Sequence, residues 1–147
     1  MASGVVFENE TGEILLVKPT YKDYWSVPGG VIEKDESPMA AALRETKEEI
    51  GLDAGHVRLL GIDYMSPQDS GYSNKEENIQ FIFYGGILTA EHIKKIKVSE
   101  NEISEYRFVD KDEALGLVND RLAHRLVPCF EAIRTGKPCY LEGGKRE

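Results

Sequence analysis

The run from Gly30 to Leu52 constrains this chain more than any other stretch. It reads Gly-Val-Ile-Glu-Lys-Asp-Glu-Ser-Pro-Met-Ala-Ala-Ala-Leu-Arg-Glu-Thr-Lys-Glu-Glu-Ile-Gly-Leu. The first half is a glycine turn and an acidic loop. The second half is a helix whose ends are written in its residues. Ser37 can accept from the free N–H groups of the first turn, Pro38 suits the first helical position, and Gly51 supplies a left-handed stop. At about 100° per residue, Met39, Leu43, Thr46 and Ile50 share one side with Ala42 at its edge, which predicts the buried stripe. Glu45, Glu48 and Glu49 stand at i, i+3 and i+4 and converge within about one turn on another side. Like charges at that spacing cost a few tenths of a kcal/mol per pair (roughly 0.2–0.5) in an exposed helix. A lone Glu-Glu pair is ordinarily a solvated surface. Three carboxylates offering only oxygen suit a hard divalent cation, Mg²⁺ or Mn²⁺, better than zinc.

The spacing carries a family pattern. Gly30, Glu36, Arg44-Glu45, Glu48-Glu49 and Gly51 resemble the Nudix box, Gly-x5-Glu-x7-Arg-Glu-U-x-Glu-Glu-x-Gly-U, where U is bulky and apolar. All the fixed positions are present. With each residue type at roughly 5–7% usage, chance would produce them about once in several hundred million starting points. Thr46 stands at the first U position, a mild departure, and Leu52 fits the second. The resemblance implies an α/β chain of α+β type, the Nudix fold, in which a mixed β-sheet is sandwiched between α-helices. It implies hydrolysis of a diphosphate linkage in a nucleoside diphosphate linked to another moiety X. Glu45, Glu48 and Glu49 with the carbonyl of Gly30 are then the implied metal ligands, and either Glu100 or Glu102 could add a further carboxylate. Arg44 is expected to orient a glutamate through a bidentate pair, with Glu36 as its partner from the turn. The other readings are a non-catalytic nucleotide-binding sensor, which commonly shows a degraded box, and a diphosphate isomerase. The second expects a catalytic cysteine before the box, where this chain has none.

Composition narrows the partners. At 147 residues one Nudix domain over 1–147 is expected, long enough to bury a core. A net charge of −8 argues against a generic nucleic-acid or anionic-membrane binder, since phosphate backbones call for a basic footprint. The expected partner is a small-molecule nucleoside diphosphate derivative, with a homodimer possible by resemblance. No signal peptide pattern or long apolar stretch is visible, and Cys129 and Cys139 form neither a disulfide framework nor a metal spacing. Two free thiols in the cytoplasm are expected.

The remaining chain alternates strand and turn. Strands are expected over 4–7, 13–18, 57–66, 78–88 and 104–109, with Gly85-Gly86 as a bulge or bend. Tyr21 to Trp25 is an aromatic loop running into the double glycine. Tyr21, Tyr24 and Trp25 are candidates to stack on a base or sugar, with core or rim packing the alternative. The loop 67–77 is long enough to line a site, and Tyr72 at its middle is a candidate substrate contact. A last helix is expected over 120–134 with Leu122, Leu126, Phe130 and Ile133 inward and a kink or early break at Pro128. Tyr140-Leu141 could dock on the core.

Overall fold

The computed structural model describes residues 1–69 and 76–146. In chain order the elements are β1 (Ala2–Asn9), β2 (Ile14–Pro19), β3 (Gly29–Val31), α1 (Pro38–Ile50), β4 (Arg58–Met65), β5 (Asn78–Leu88), α2 (Ala90–Lys94), β6 (Ile103–Val109), α3 (Lys111–Leu117), α4 (Asp120–Thr135), β7 (Cys139–Glu142) and β8 (Lys145–Arg146). They form an eight-stranded sheet in the order β6-β2-β1-β5-β4-β7-β8, with β3 also paired to β1. The sheet is mixed: β1 runs parallel to β5 and β4 parallel to β7, while the other pairs are antiparallel.

The alternation of side chains along β1 explains why helices cover both faces. Val5 and Phe7 pack with Leu15, Val17 and Phe83 against Ala42 and Ile50 of α1. Val6, one residue out of phase, packs with Ile14, Leu16 and Ile82 against Ala114 of α3 and Leu122, Leu126 and Cys129 of α4. A strand buried on both sides reads as a continuous apolar run, which is what Val5-Val6-Phe7 is. Gly85 is the expected bulge: Val6 faces Tyr84 and Phe7 faces Gly86, leaving Gly85 unpaired. A Cβ there would stand 2.2 Å from the Phe7 ring. Among the described residues no helix is long and apolar enough to cross a membrane.

Several expectations are corrected. Met39 is 43% exposed, whereas Ala41 and Glu49 are buried with Ala42, Thr46 and Ile50. The helix is turned by its anchors at both ends, the Ser3 hydroxyl donating to the Pro38 carbonyl and the Gly29 N–H donating to Glu49. Thr46 meets the demands of burial by donating to the Ala42 carbonyl at 2.8 Å. α4 runs unbroken through Pro128. Burial of Leu126, Cys129 and Ala132 on either side of it outweighs one missing rung. Its inward seam includes Arg125, Cys129 and Ala132 as well as Leu122 and Leu126, with Phe130 and Ile133 at the margin. Leu141 is fully buried and its neighbour Tyr140 is 49% exposed.

Candidate active site

The site begins with two glycines that let strands and carboxylates come closer than any side chain would allow. Gly29 and Gly30 pair with Gly4 and Ser3 of β1. A Cβ on Gly29 would lie 2.2 Å from the Ser3 carbonyl oxygen, and one on Gly30 would lie 2.5 Å from Glu45 Oε1. The Glu45 carboxylate therefore rests against bare backbone. The Gly29 N–H donates to Glu49 Oε1 at 3.0 Å.

α1 then aligns the acidic groups. Ser37 accepts from the Ala40 N–H at 3.0 Å, and Gly51, at φ 75°, donates its N–H to the Lys47 carbonyl. Glu45, Glu48 and Glu102 each offer an oxygen, and these oxygens lie within 4.8 Å of one another. Glu102 arrives from far along the chain. Lys97 and Ser99 donate their N–H groups to the Ile50 and Glu49 carbonyls at 2.9 and 3.0 Å, so the segment docks on the end of α1. The turn from Ser99 to Ile103 then directs Glu102 into the cluster and leaves Glu100 exposed outside it. Of the two expected alternatives, the structure brings Glu102 to the site.

Arg44 organises one side of this cluster. Its Nε and Nη2 donate to the two oxygens of Glu36 at 2.7 and 2.9 Å, and Nη2 also donates to the Val31 carbonyl at 3.1 Å. Nη1 donates to Glu45 Oε1 at 3.0 Å and to Glu48 Oε2 at 3.2 Å. The bidentate contact holds Glu36 down at about 2, helped by the Glu33 N–H. Glu45 is displaced upward, chiefly by burial, with Glu48 and Glu102 adding repulsion against the pull of Arg44. Glu49 is pushed up to about 8, mainly by burial, opposed by its bond from Gly29 and reinforced by Glu45, Glu102 and Glu48. Glu48 and Glu49 also sit in the last helical turn, where the helix dipole is negative and disfavours anions. Even with Glu49 held toward its protonated form, Glu36, Glu45, Glu48 and Glu102 outnumber the one Arg44 guanidinium. An oxygen-only donor set in that state fits a hard divalent cation.

These groups open onto a cavity of about 580 Å³. Gly29, Gly30, Glu45, Glu49 and Glu102 line one edge; Asn78, Gln80, Met65, Leu122 and Arg125 belong to its other wall. Tyr21 and Tyr24 stand at the lining, with the Lys22 ammonium 5.4 and 5.5 Å from their ring centres. Tyr21 is 75% exposed and open to a ligand. Trp25 is not part of this lining. It is buried in the core over α3 and α4, its backbone N–H donating to the Leu117 carbonyl, with the Arg107 guanidinium 4.8 Å from its ring. Tyr72 lies outside the described residues. Sequence reasoning passed over Arg125, Gln80 and Asn78, which lack a local motif.

Comparison with known proteins follows the same lines. The NUDIX domain model matches residues 1–131. The chain belongs to the NUDIX family. Its curated relatives include an RNA pyrophosphohydrolase of Hydrogenovibrio crunogenus, 40% identical over 58 residues, covering 40% of this chain and 35% of that relative. Another, from Xanthomonas campestris pv. campestris, is 29% identical over 120 residues, 73% of this chain and 57% of the relative. The chain thus spans between about a third and somewhat over half of the length of these relatives. Among solved structures, a MutT protein from Methanosarcina mazei Go1 superposes with a TM-score of 0.70 at 24% identity, covering 92% of this chain and 94% of that one. An Ap4A hydrolase from C. elegans gives 0.67 at 19%, covering 93% and 100%. At these identities the likeness establishes the NUDIX fold.

Proposed function

We propose that this NUDIX chain hydrolyses a diphosphate linkage in a nucleoside diphosphate linked to X, using Mg²⁺ or Mn²⁺. One observation carries the reading. Three carboxylates, Glu45 and Glu48 from one turn of α1 and Glu102 from far along the chain, converge at the edge of a nucleotide-sized cavity with their charge only partly offset. The names of the relatives, RNA pyrophosphohydrolase and Ap4A hydrolase among them, support the same reaction class.

The obstacle is electrostatic, because water must approach phosphorus already surrounded by anionic oxygens. A bound divalent cation supplies the positive charge that this approach requires. Glu45, Glu48 and Glu102 would hold it, with the carbonyl of Gly30, the residue Glu45 rests against, as a further oxygen donor. Glu49 has one oxygen taken by the Gly29 N–H and keeps the other for the ion or for the proton of the attacking water. Arg44 acts as a positioning residue: it fixes Glu45 and Glu48 while its fork is anchored on Glu36. Tyr21 and Tyr24 offer aromatic faces at the lining.

The test is a Mg²⁺ and Mn²⁺ screen of ADP-ribose, nucleoside triphosphates, nucleotide sugars, dinucleoside polyphosphates and a 5′-triphosphorylated oligonucleotide. Reaction in ¹⁸O-water identifies the phosphorus attacked. Metal-dependent release of a nucleotide with ¹⁸O on one phosphate is expected. Binding without turnover across the whole panel would overturn the reading in favour of a sensor.

A further inference from the structure

The wall of the cavity away from the carboxylates is polar as well, and the metal chemistry does not use it. Arg125 on α4 is only 7% exposed, and its Nε donates to Asp63 Oδ2 at 2.8 Å. Asp63 is 1% exposed and accepts the Gly144 N–H on its other oxygen at 2.9 Å. The two terminal nitrogens of Arg125 donate to no described residue. Yet no buried side-chain nitrogen or oxygen among the described residues lacks a partner. Those terminal N–H groups therefore reach open space, and the space Arg125 borders is this cavity.

The sheet register supplies the neighbours. Asp63 is paired with Gln80 and Met65 with Asn78, so the amides of Gln80 and Asn78 stand on the strand next to the one that anchors the guanidinium. Asn78 is 7% exposed, and its side chain, like that of Gln80, makes no hydrogen bond to a described residue. Met65, Ile82 and Leu122, all nearly buried, supply apolar surface around these polar groups. From β3, where Glu45 rests, to β4, where Arg125 is anchored, the sheet order β3-β1-β5-β4 gives three inter-strand steps, about 14 Å. That span separates a site for phosphates from a site for a base.

We infer that the Arg125 wall receives the nucleobase of the substrate and selects a 6-oxopurine, guanine or hypoxanthine, over adenine. The inference rests on the proposed nucleotide chemistry. A guanidinium presents N–H groups side by side, and the O6 and N7 atoms of a 6-oxopurine both accept. Adenine places its N6 amino group beside N7, setting donor against donor. A phosphate gains less here, since Asp63 already neutralises Arg125. Arg125 offers only donors and is nearly buried, so a base that meets it with an amino group leaves it unpaired. The Asn78 and Gln80 amides, by contrast, both donate and accept and add polar contacts to either base.

Calorimetric titration of the full chain, free of metal, with GMP, IMP, AMP and 7-deaza-GMP tests this. GMP and IMP are expected to bind within about 3-fold of each other, with AMP and 7-deaza-GMP at least ~10-fold weaker. The paired variant Asp63→Asn with Arg125→Met is expected to erase the preference while leaving Mn²⁺ affinity unchanged; the wild-type series decides the question even where that variant does not fold. AMP binding as tightly as GMP, 7-deaza-GMP matching GMP, or no binding of any monophosphate would overturn the assignment. Metal-dependent turnover that persists without base preference sinks this inference alone. Absence of both binding and turnover sinks the proposed function with it.

Discussion

Each side of the cavity contains an arginine among carboxylates, and the two are balanced differently. Arg44 serves Glu36, Glu45 and Glu48 at hydrogen-bond distance and Glu33 at 3.6 Å, with Glu49 and Glu102 near by. Among the described residues Arg125 serves Asp63 alone, and both are buried. Surplus negative charge at the first site makes a place for a cation. Neutrality at the second leaves N–H donors free for an uncharged ligand. Two sites built from the same kinds of group, a guanidinium and carboxylates, are thus suited to opposite tasks by how many carboxylates share one guanidinium.

The comparison breaks most visibly at the acidic edge. Glu45→Gln keeps the volume and the helix but removes one charged oxygen donor, so kcat at saturating Mg²⁺ should fall about 10³-fold or more with the melting temperature little changed. Near-normal turnover would remove Glu45 from the machinery. Glu49→Gln is expected to behave similarly. At the neutral wall the dominant effect is on stability. Asp63→Ala leaves Arg125 buried without its partner and should cost about 3–5 kcal/mol in urea unfolding. A loss no larger than that of a surface substitution would mean Arg125 escapes to solvent.

Smaller changes sharpen the contrast. Arg44→Lys retains the charge but loses the fork that grips Glu36 while reaching Glu45 and Glu48. Turnover should drop roughly 10–100-fold, with KM for the nucleotide altered less than kcat. An unchanged kcat would make the fork dispensable. The smallest effect concerns acid. Glu36 has its folded value depressed to about 2 from 4.5. Its stabilising contribution is therefore complete above about pH 4.5 and lost as pH falls through about 2. The melting-temperature gap between the wild type and Glu36→Gln should be constant above that range and close below it. A gap that persists to pH 2 would show the Arg44 contact is not its source.

Local chemistry in the sequence made the acidic edge legible. Ser37, Pro38 and Gly51 mark the ends of α1 because caps act within one turn, and the i, i+3, i+4 spacing of the glutamates needs only the helix. The sequence could not show which side of α1 its end contacts would turn inward, hence the exposed Met39 and the buried Glu49. Nor could it separate Glu102 from Glu100, a choice made by a turn docked on the Glu49 and Ile50 carbonyls. The sequence left Trp25, just before the glycine turn, open to either ligand stacking or core packing. A hydrogen bond to Leu117 and packing against α3 and α4 draw it into the core. Arg125 was the hardest to see: its partner lies 62 residues away on β4, and periodicity alone assigns a charged residue on an amphipathic helix to solvent.

Mn²⁺ titration followed by electron paramagnetic resonance, on the wild type and on Glu45→Gln, Glu102→Gln and Glu100→Gln, addresses the site most directly. The free-ion signal should be quenched by the wild type and by Glu100→Gln. It should persist to much higher protein concentration with Glu45→Gln and Glu102→Gln. Equal quenching by all four proteins would contradict an ion held between α1 and the Glu102 turn.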